Sequence, residues 1–142
     1  MLQKLRQRSG SESGFTLVEL LVVMLILGIL AAIAIPAFFA QRDKAKDADA
    51  KASVRTSQTA IETYATDNDG SYGGATTAIL QGIEPTLEDP PGNTLSVTGT
   101  GTNTYTLTVT AEDTAHTFTI ARNGGTTTRT CTGGGGCSGG TW

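Results

Sequence analysis

The sequence has few of the residues that build enzyme active sites. Its 142 residues include one histidine and two cysteines, and aromatic residues make up 6% of the chain. No HExxH or phosphate-loop motif is present, and no pair of carboxylates stands in a recognisable catalytic setting. The glycines at 133–136 precede a cysteine instead of joining a strand to a helix. We therefore expect no enzymatic activity and no cofactor.

Metal-binding signals are equally sparse. The segment Asp67–Gly70 has a faint likeness to a calcium loop, but it lacks the further ligands and the final glutamate of an EF-hand. We expect a turn there. A zinc site would need more ligands than His116 and the two cysteines supply. We expect no metal site, and we expect His116 to lie at the surface where a strand begins.

Charged and polar side chains are missing from one long stretch, Leu20–Ala40. Nineteen of its 21 residues are apolar, and only Gly28 and Pro36 interrupt them. As a helix it would rise about 31 Å, close to the thickness of a bilayer core. The 102 residues from Gln41 to Trp142 hold only 29 apolar residues. This split excludes an ordinary cytosolic globule and predicts a membrane segment carrying a small, thinly cored domain.

Charge sets the expected orientation of the membrane segment. The first 14 residues hold Lys4, Arg6 and Arg8 against Glu12, whereas seven basic and twelve acidic residues follow Gly14, a net charge of −5. The positive-inside bias puts the N-terminus in the cytoplasm and the rest outside. An acidic exported part is a poor direct binder of nucleic acid, so none is expected.

One carboxylate, Glu19, stands at the start of the apolar run. An acidic side chain costs about 2.5–3.5 kcal/mol at the centre of a membrane and less near the interface. No lysine or arginine lies within one helical turn of Glu19. Either the carboxylate sits among the headgroups, or its partner is an α-amine freed by cleavage before Phe15.

The segment GFTLVELL, residues 14–21, resembles the prepilin processing motif of type IV pilins and of the pseudopilins of secretion and competence machines. The resemblance implies cleavage between Gly14 and Phe15 by a prepilin peptidase that also N-methylates Phe15. It implies that Glu19 pairs with the Phe15 amine, its own or a neighbour's, during assembly. It further implies that Gly28 and Pro36 weaken the helix, so that residues 29–35 are helical in the membrane and extended in the polymer.

The same resemblance implies an α+β fold, in which a long N-terminal helix packs on a small antiparallel sheet of about four strands. We divide the chain into a basic leader (1–14), a membrane and polymerisation helix (15–40), its exported continuation (41–65), a connecting loop (66–93) and the sheet with a C-terminal loop (94–142). The loop contains a short helical piece near residues 77–81.

Strands are predicted from alternation in a threonine-rich region. Sixteen of the 39 residues from Thr94 to Thr132 are threonine, and they alternate with apolar residues. We predict strands at 94–98, 104–110, 116–122 and 126–131, with a tight turn at Asn123-Gly124. The apolar face would pack on the helix around residues 54–65, and threonine would cover the outer face.

The C-terminal residues carry two further expectations. If this part is exported, the even pair Cys131 and Cys137 is expected to form a disulfide. Trp142 is expected to pack against the domain or a neighbour. The alternating charges of residues 42–55 fit either a solvated face or contacts between stacked subunits.

The leading hypothesis is a structural subunit of a type IV pilus. Its expected partners are other copies of the chain, the prepilin peptidase, the inner-membrane assembly platform and, before assembly, the lipid bilayer. It would start as a single-pass inner-membrane precursor and end in an extracellular filament. The alternatives are a pseudopilin of a type II secretion or competence machine, and a secreted binding domain whose ordinary signal peptide is cut after about Ala34–Ala40.

Overall fold

The computed structural model describes residues 14–88, 93–134 and 136–142. Along the chain lie helix α1 (Leu17–Asp67), helix α2 (Thr77–Ile83), a 3₁₀ turn (Pro85–Leu87) and four strands. The fold is α+β, a long N-terminal helix packed on a four-stranded antiparallel sheet, as the sequence predicted. Two units are distinguished, residues 1–38 and residues 39–142.

Helix α1 is a single helix of 51 residues. It begins after Thr16, whose hydroxyl accepts a hydrogen bond from the Glu19 backbone N–H at 3.2 Å, an N-cap contact. It continues through Gly28 and Pro36 without a break. It ends in a turn where the Gly70 N–H donates to the Ala65 carbonyl, a C-terminal pattern that a positive-φ glycine permits.

The sheet is an antiparallel meander. Its strands are β1 (Thr94–Thr98), β2 (Thr104–Thr110), β3 (Thr117–Asn123) and β4 (Thr126–Thr132), in that spatial order. The strands start and end within one residue of the predicted positions. The predicted turn was one residue off: β3 includes Asn123, and the chain reverses at Gly124-Gly125. Both of these glycines have positive φ, which a side chain would disfavour.

Residues 39–142, which are predicted to be exported, are called the exported unit, and their core lies between α1 and one face of the sheet. In α1 the buried positions follow helical spacing from Asp47 and Ala50 onward. The sheet contributes alternate residues, as expected for a sheet buried on one side. The largest fully buried apolar side chains of this core are Val54, Ile61, Leu80, Tyr105, Leu107, Val109, Phe118 and Ile120.

Described residues between α1 and β1 also contribute to this core. Helix α2 is capped by Thr76, whose hydroxyl accepts from the Ile79 N–H at 3.3 Å, and it buries Leu80. The following turn buries Leu87. The short helix predicted near residues 77–81 is therefore present and runs two residues further.

Candidate functional site

The first half of α1 is an apolar helix whose residues are exposed on every side. Every described residue from Gly14 to Ala45 is exposed. The large apolar side chains of this stretch range from 47% exposure at Val22 and Val23 to 74% at Phe15. Each such side chain gains about 1.5–3 kcal/mol when it leaves water. By length and composition the helix could cross a membrane, so its surface is suited to lipid or to another protein.

The residues of the predicted processing site lie at the start of this helix. Gly14 and Phe15 precede α1 directly. A Cβ added at Gly14 would meet no atom of the described residues within 4 Å. The fold itself therefore does not require a glycine at this position. A requirement for glycine there would come from an enzyme that acts on the Gly14–Phe15 peptide bond.

Glu19 occupies the first turn of α1 and is exposed. Across the described ranges, its carboxylate has no hydrogen-bond or ion-pair partner; only its backbone N–H bonds to Thr16. The sequence reasoning missed Thr16. The pattern Thr16-x-x-Glu19 is that of a capping box and would have located the helix start. A carboxylate also interacts favourably with a helix N-terminus, which gives Glu19 a local stabilising effect besides the predicted pairing.

In the exported unit, the charges at the start of the packed part of α1 bind the β2–β3 connection. Asp113 accepts hydrogen bonds from Lys46 and, at 2.9 Å, from Arg42. The bond between Lys46 and Asp113 raises the pKa of the lysine and lowers the pKa of the carboxyl. These ion pairs lie at the surface, so each contributes little to the stability of the fold. Their presence shows that the alternating charges of this stretch are not simply a solvated face.

Asp47 forms a buried contact with His116. Its side chain is 1% exposed, and His116 Nδ1 lies 2.9 and 3.2 Å from its two carboxylate oxygens. His116 Nε2 accepts from the Gly134 N–H at 3.2 Å. An Nε2 acceptor together with an Nδ1 donor describes the neutral imidazole. His116 directly precedes β3, as predicted, but its side chain is only 22% exposed, because the ring contacts Asp47, 69 positions earlier.

The C-terminal loop is tied to α1 and to β4. Cys131 and Cys137 form the expected disulfide, with their Cα atoms 5.7 Å apart. Lys51 Nζ donates to the Gly136 carbonyl at 2.6 Å. A Cβ at Gly133 would collide with the His116 ring, so the backbone there approaches more closely than other residues allow. Gly133 is therefore a packing position.

Trp142 packs within its own domain. Its indole N–H donates to the Thr130 carbonyl at 2.9 Å, and its ring meets that of Phe118 edge-on at 5.8 Å. The guanidinium groups of Arg55 and Arg129 lie 5.3 and 5.8 Å from the indole centre. Of the two placements predicted for this tryptophan, the structure has the intradomain one.

A second polar cluster surrounds Glu62 near the C-terminal end of α1. Its carboxylate accepts from the hydroxyls of Tyr72 and Tyr105 at 2.8 and 3.0 Å, and from Arg122 at 3.1 Å. Burial, supplemented by the bond to Glu62, raises the pKa of Tyr72. Burial also raises the pKa of Tyr105, to about 12. The cluster joins α1, the loop after it and the sheet.

The part of the chain that the structure describes holds no cluster of metal-ligating side chains. In residues 14–88, 93–134 and 136–142 no group of three or more His, Cys, Asp or Glu side chains is arranged to hold a metal ion. The segment Asp67–Gly70 forms the end of α1 and a turn.

Comparison with known proteins places this chain. The model of the prokaryotic N-terminal methylation motif matches residues 10–35. The type IV narrow pilus major component PilA5 of Thermus thermophilus is 34% identical over 115 residues, which cover 81% of this chain and 91% of that protein. The chain belongs to the type IV pilin family, taken broadly to include the pseudopilins.

Other relatives come from secretion and competence systems. The type II secretion system core protein G of Pseudomonas aeruginosa is 39% identical over 82 residues, 58% of this chain and 54% of the relative. Competence protein ComGC of Halalkalibacterium halodurans is 36% identical over 58 residues, 41% of this chain and 57% of the relative. The chain thus spans just over half the length of these two relatives. No solved structure matches significantly.

Proposed function

We propose that this chain is the structural subunit of a type IV pilus. The observation that carries the proposal is the exposed apolar stretch from Phe15 to Phe39, most of which lies within the matched methylation motif, residues 10–35. Such a surface is stable in a bilayer or against copies of itself, and not in water. The likeness to a pilus major component over most of both chains supports the pilus in particular.

The proposed maturation begins in the cytoplasmic membrane. The chain is inserted once, with its N-terminus in the cytoplasm, and a prepilin peptidase cuts between Gly14 and Phe15 and methylates the new amine. An inner-membrane assembly platform then moves subunits into an extracellular filament. The exposure of Gly14 and the absence of steric demand for glycine there agree with selection by a peptidase rather than by the fold.

Glu19 has the proposed role of setting register in the polymer. Its exposed carboxylate would meet the Phe15 amine of its own chain or of a neighbour as subunits leave the lipid. Pairing removes the desolvation cost of both charges together, and it specifies register more reliably than it adds stability. The helix of the isolated chain runs unbroken through Gly28 and Pro36. Extension of residues 29–35 in the filament remains a prediction, which a filament map with continuous helix would contradict.

The first test is the mass and N-terminus of the mature protein by mass spectrometry. A chain that starts with N-methylated Phe15 supports the proposal. A start after Ala34–Ala40 would identify an ordinary signal peptide and a secreted domain. Gly14→Val should leave an unprocessed precursor in the membrane, and normal maturation of that variant would refute the assigned cleavage bond.

Glu19→Ala tests the assembly role separately from insertion. We expect the variant to enter the membrane and its filament yield to fall strongly, because the amine loses its partner. Glu19→Gln is the matched variant, since it keeps the size and removes the charge. Asp43→Ala, an exposed carboxylate further along α1, is the control and should assemble normally. Normal filament yield from Glu19→Ala would count against the pairing.

A pseudopilin is the second candidate, favoured by the likeness to protein G and ComGC. The two candidates share cleavage, membrane insertion and polymerisation. They differ in abundance and in what is lost without the gene. Long surface filaments at high copy number indicate a pilin. Loss of protein secretion or of transformation, without surface filaments, would indicate a pseudopilin.

A further inference from the structure

The outer face of the sheet is a regular array of one residue type. It takes every second residue of each strand, starting from Thr94, Thr104, Thr117 and Thr126. Of these 15 positions, 12 are threonine, and the other three are a serine, an alanine and an asparagine. We call this surface the threonine face. The strand register places threonines in rows across it, as in Thr108, Thr119 and Thr130.

The threonine face is accessible in the described chain. All of its positions are half-buried or exposed, and the sheet packs on α1 with its opposite side. Neighbouring hydroxyls bond to each other across strands, at 3.1 Å between Thr108 and Thr119 and at 2.6 Å between Thr117 and Thr132. These bonds lock side chains in place, so less conformational entropy remains to be lost when the face is covered.

The threonine face carries no charge. The residues after Gly14 have a net charge of −5, so two copies repel each other at most relative orientations. The uncharged face is where two acidic copies can approach without facing carboxylates. It also lacks aromatic rings, lysine and arginine, the groups that would favour a sugar or a polyanion. These features favour a second copy of the same face as the occupant.

The size of the face predicts a contact that is weak alone. Four strands about 4.8 Å apart and seven residues of about 3.4 Å each span on the order of 400 Å². A standard stable interface buries about 800 Å² on each partner. A single pair of copies therefore should not dimerise. In a polymer the contact repeats with every subunit, and repeated weak contacts between two linked arrays add up.

Symmetry decides where such a contact can form. A face that packs on its own copy makes an isologous, two-fold contact, whereas the contacts that propagate a filament are heterologous. We propose that the threonine face is a lateral adhesion surface, which joins one filament to another through contact with the same face of a copy in the neighbouring filament. This proposal rests on the proposed function, since it requires filaments.

The test compares two adjacent residues of β4 that point to opposite sides of the sheet. Thr128 lies in the threonine face, and Thr127, also exposed, lies on the other side. Thr128→Glu puts a carboxylate in the contact, and Thr127→Glu adds the same charge outside it. Thr128→Lys is a second variant with the opposite charge. Filaments sheared from cells are compared by electron microscopy for bundle width and by low-speed sedimentation, at low and high salt.

Wild-type filaments and Thr127→Glu filaments should form bundles, more so at high salt, because salt screens the repulsion between acidic filaments. Thr128→Glu and Thr128→Lys should give single filaments at undiminished yield, with a several-fold loss of the sedimenting fraction.

Equal dispersal of Thr127→Glu, or wild-type filaments that stay single at every salt concentration, would overturn the proposal. So would failure of both Thr128 variants to assemble while Thr127→Glu assembles, since the face would then lie inside the filament. Absence of wild-type filaments would instead refute the proposed function, and this proposal with it.

Discussion

The two halves of α1 show that one helix can have two different relations to water. From Leu17 to Ala45 every side chain is exposed, although most are apolar. From Asp47 to Ala65 the helix buries one face against the sheet, although that part is rich in charge. Local propensity makes both halves helical. The second half packs on other residues of the same chain. The first half is left to pack on whatever surrounds the chain.

The difference also assigns separate tasks to the two halves. The second half has its partner already, in the core with Leu107 and Phe118, so substitutions there should act on folding. The first half has its apolar surface still to cover, so substitutions there should act on membrane insertion and assembly. The same chemical change placed in each half should therefore give two different phenotypes.

The largest effect is expected from Leu→Ala substitutions in the two regions. Leu107 is fully buried, and Leu107→Ala should lower the free energy of unfolding of the exported unit by about 2–5 kcal/mol, since it leaves a cavity. Chemical denaturation of the full chain in detergent, followed by Trp142 fluorescence, measures this.

Leu25 is 64% exposed and provides the matched control. Leu25→Ala should leave the unfolding curve of the exported unit unchanged while it reduces filament yield. Equal destabilisation of the exported unit by both variants would mean that the two regions do not differ as described.

A smaller effect is expected from two aspartates of α1 that sequence alone does not separate. Asp47→Ala should cost about 1–3 kcal/mol, because the Nδ1–H of His116 loses its buried acceptor. Asp49→Ala should change the free energy of unfolding little, since Asp49 is exposed. Denaturation curves of both variants check this, and a loss in Asp49→Ala equal to that in Asp47→Ala would contradict the burial contrast.

The smallest effect is confined to alkaline solution and concerns Tyr105. Its pKa is raised from 10.0 to about 12, first of all by burial. A raised pKa in the folded state stabilises the fold below pH 10.0, and that contribution is lost as pH rises to about 12. The free energy of unfolding should fall over this range. Tyr105→Phe should show a smaller fall, and Tyr64→Phe the same fall as wild type. An unchanged pH profile in Tyr105→Phe would contradict this.

Local patterns in the sequence were enough to predict the strands and the helix. Alternation of Tyr105, Leu107 and Val109 with threonine has period two, which only a strand converts into one buried face. The disulfide could be expected because the only two cysteines stand close together near the C-terminus. The turn position was missed by one residue, since Asn123-Gly124 and Gly124-Gly125 both tolerate positive φ.

The polar contacts could not be predicted in the same way. Asp47 and His116 are 69 residues apart, and neither has a neighbouring pattern that points to the other. A lone histidine at a strand start and one aspartate among alternating charges both have the pattern of surface residues. Their meeting depends on how α1 lies across the sheet, which is a property of the tertiary structure. The roles assigned to Gly14, Phe15 and Glu19 remain predictions from sequence.

The Thr16 cap has a consequence for maturation. Because the hydroxyl that fixes the start of α1 belongs to Thr16, a residue after the proposed cut, removal of the leader would leave this cap in place. Cleavage would change the charge and position of the terminus while the Thr16 cap persists. The new α-amine would then stand one residue before a capping residue that already defines the start of the helix.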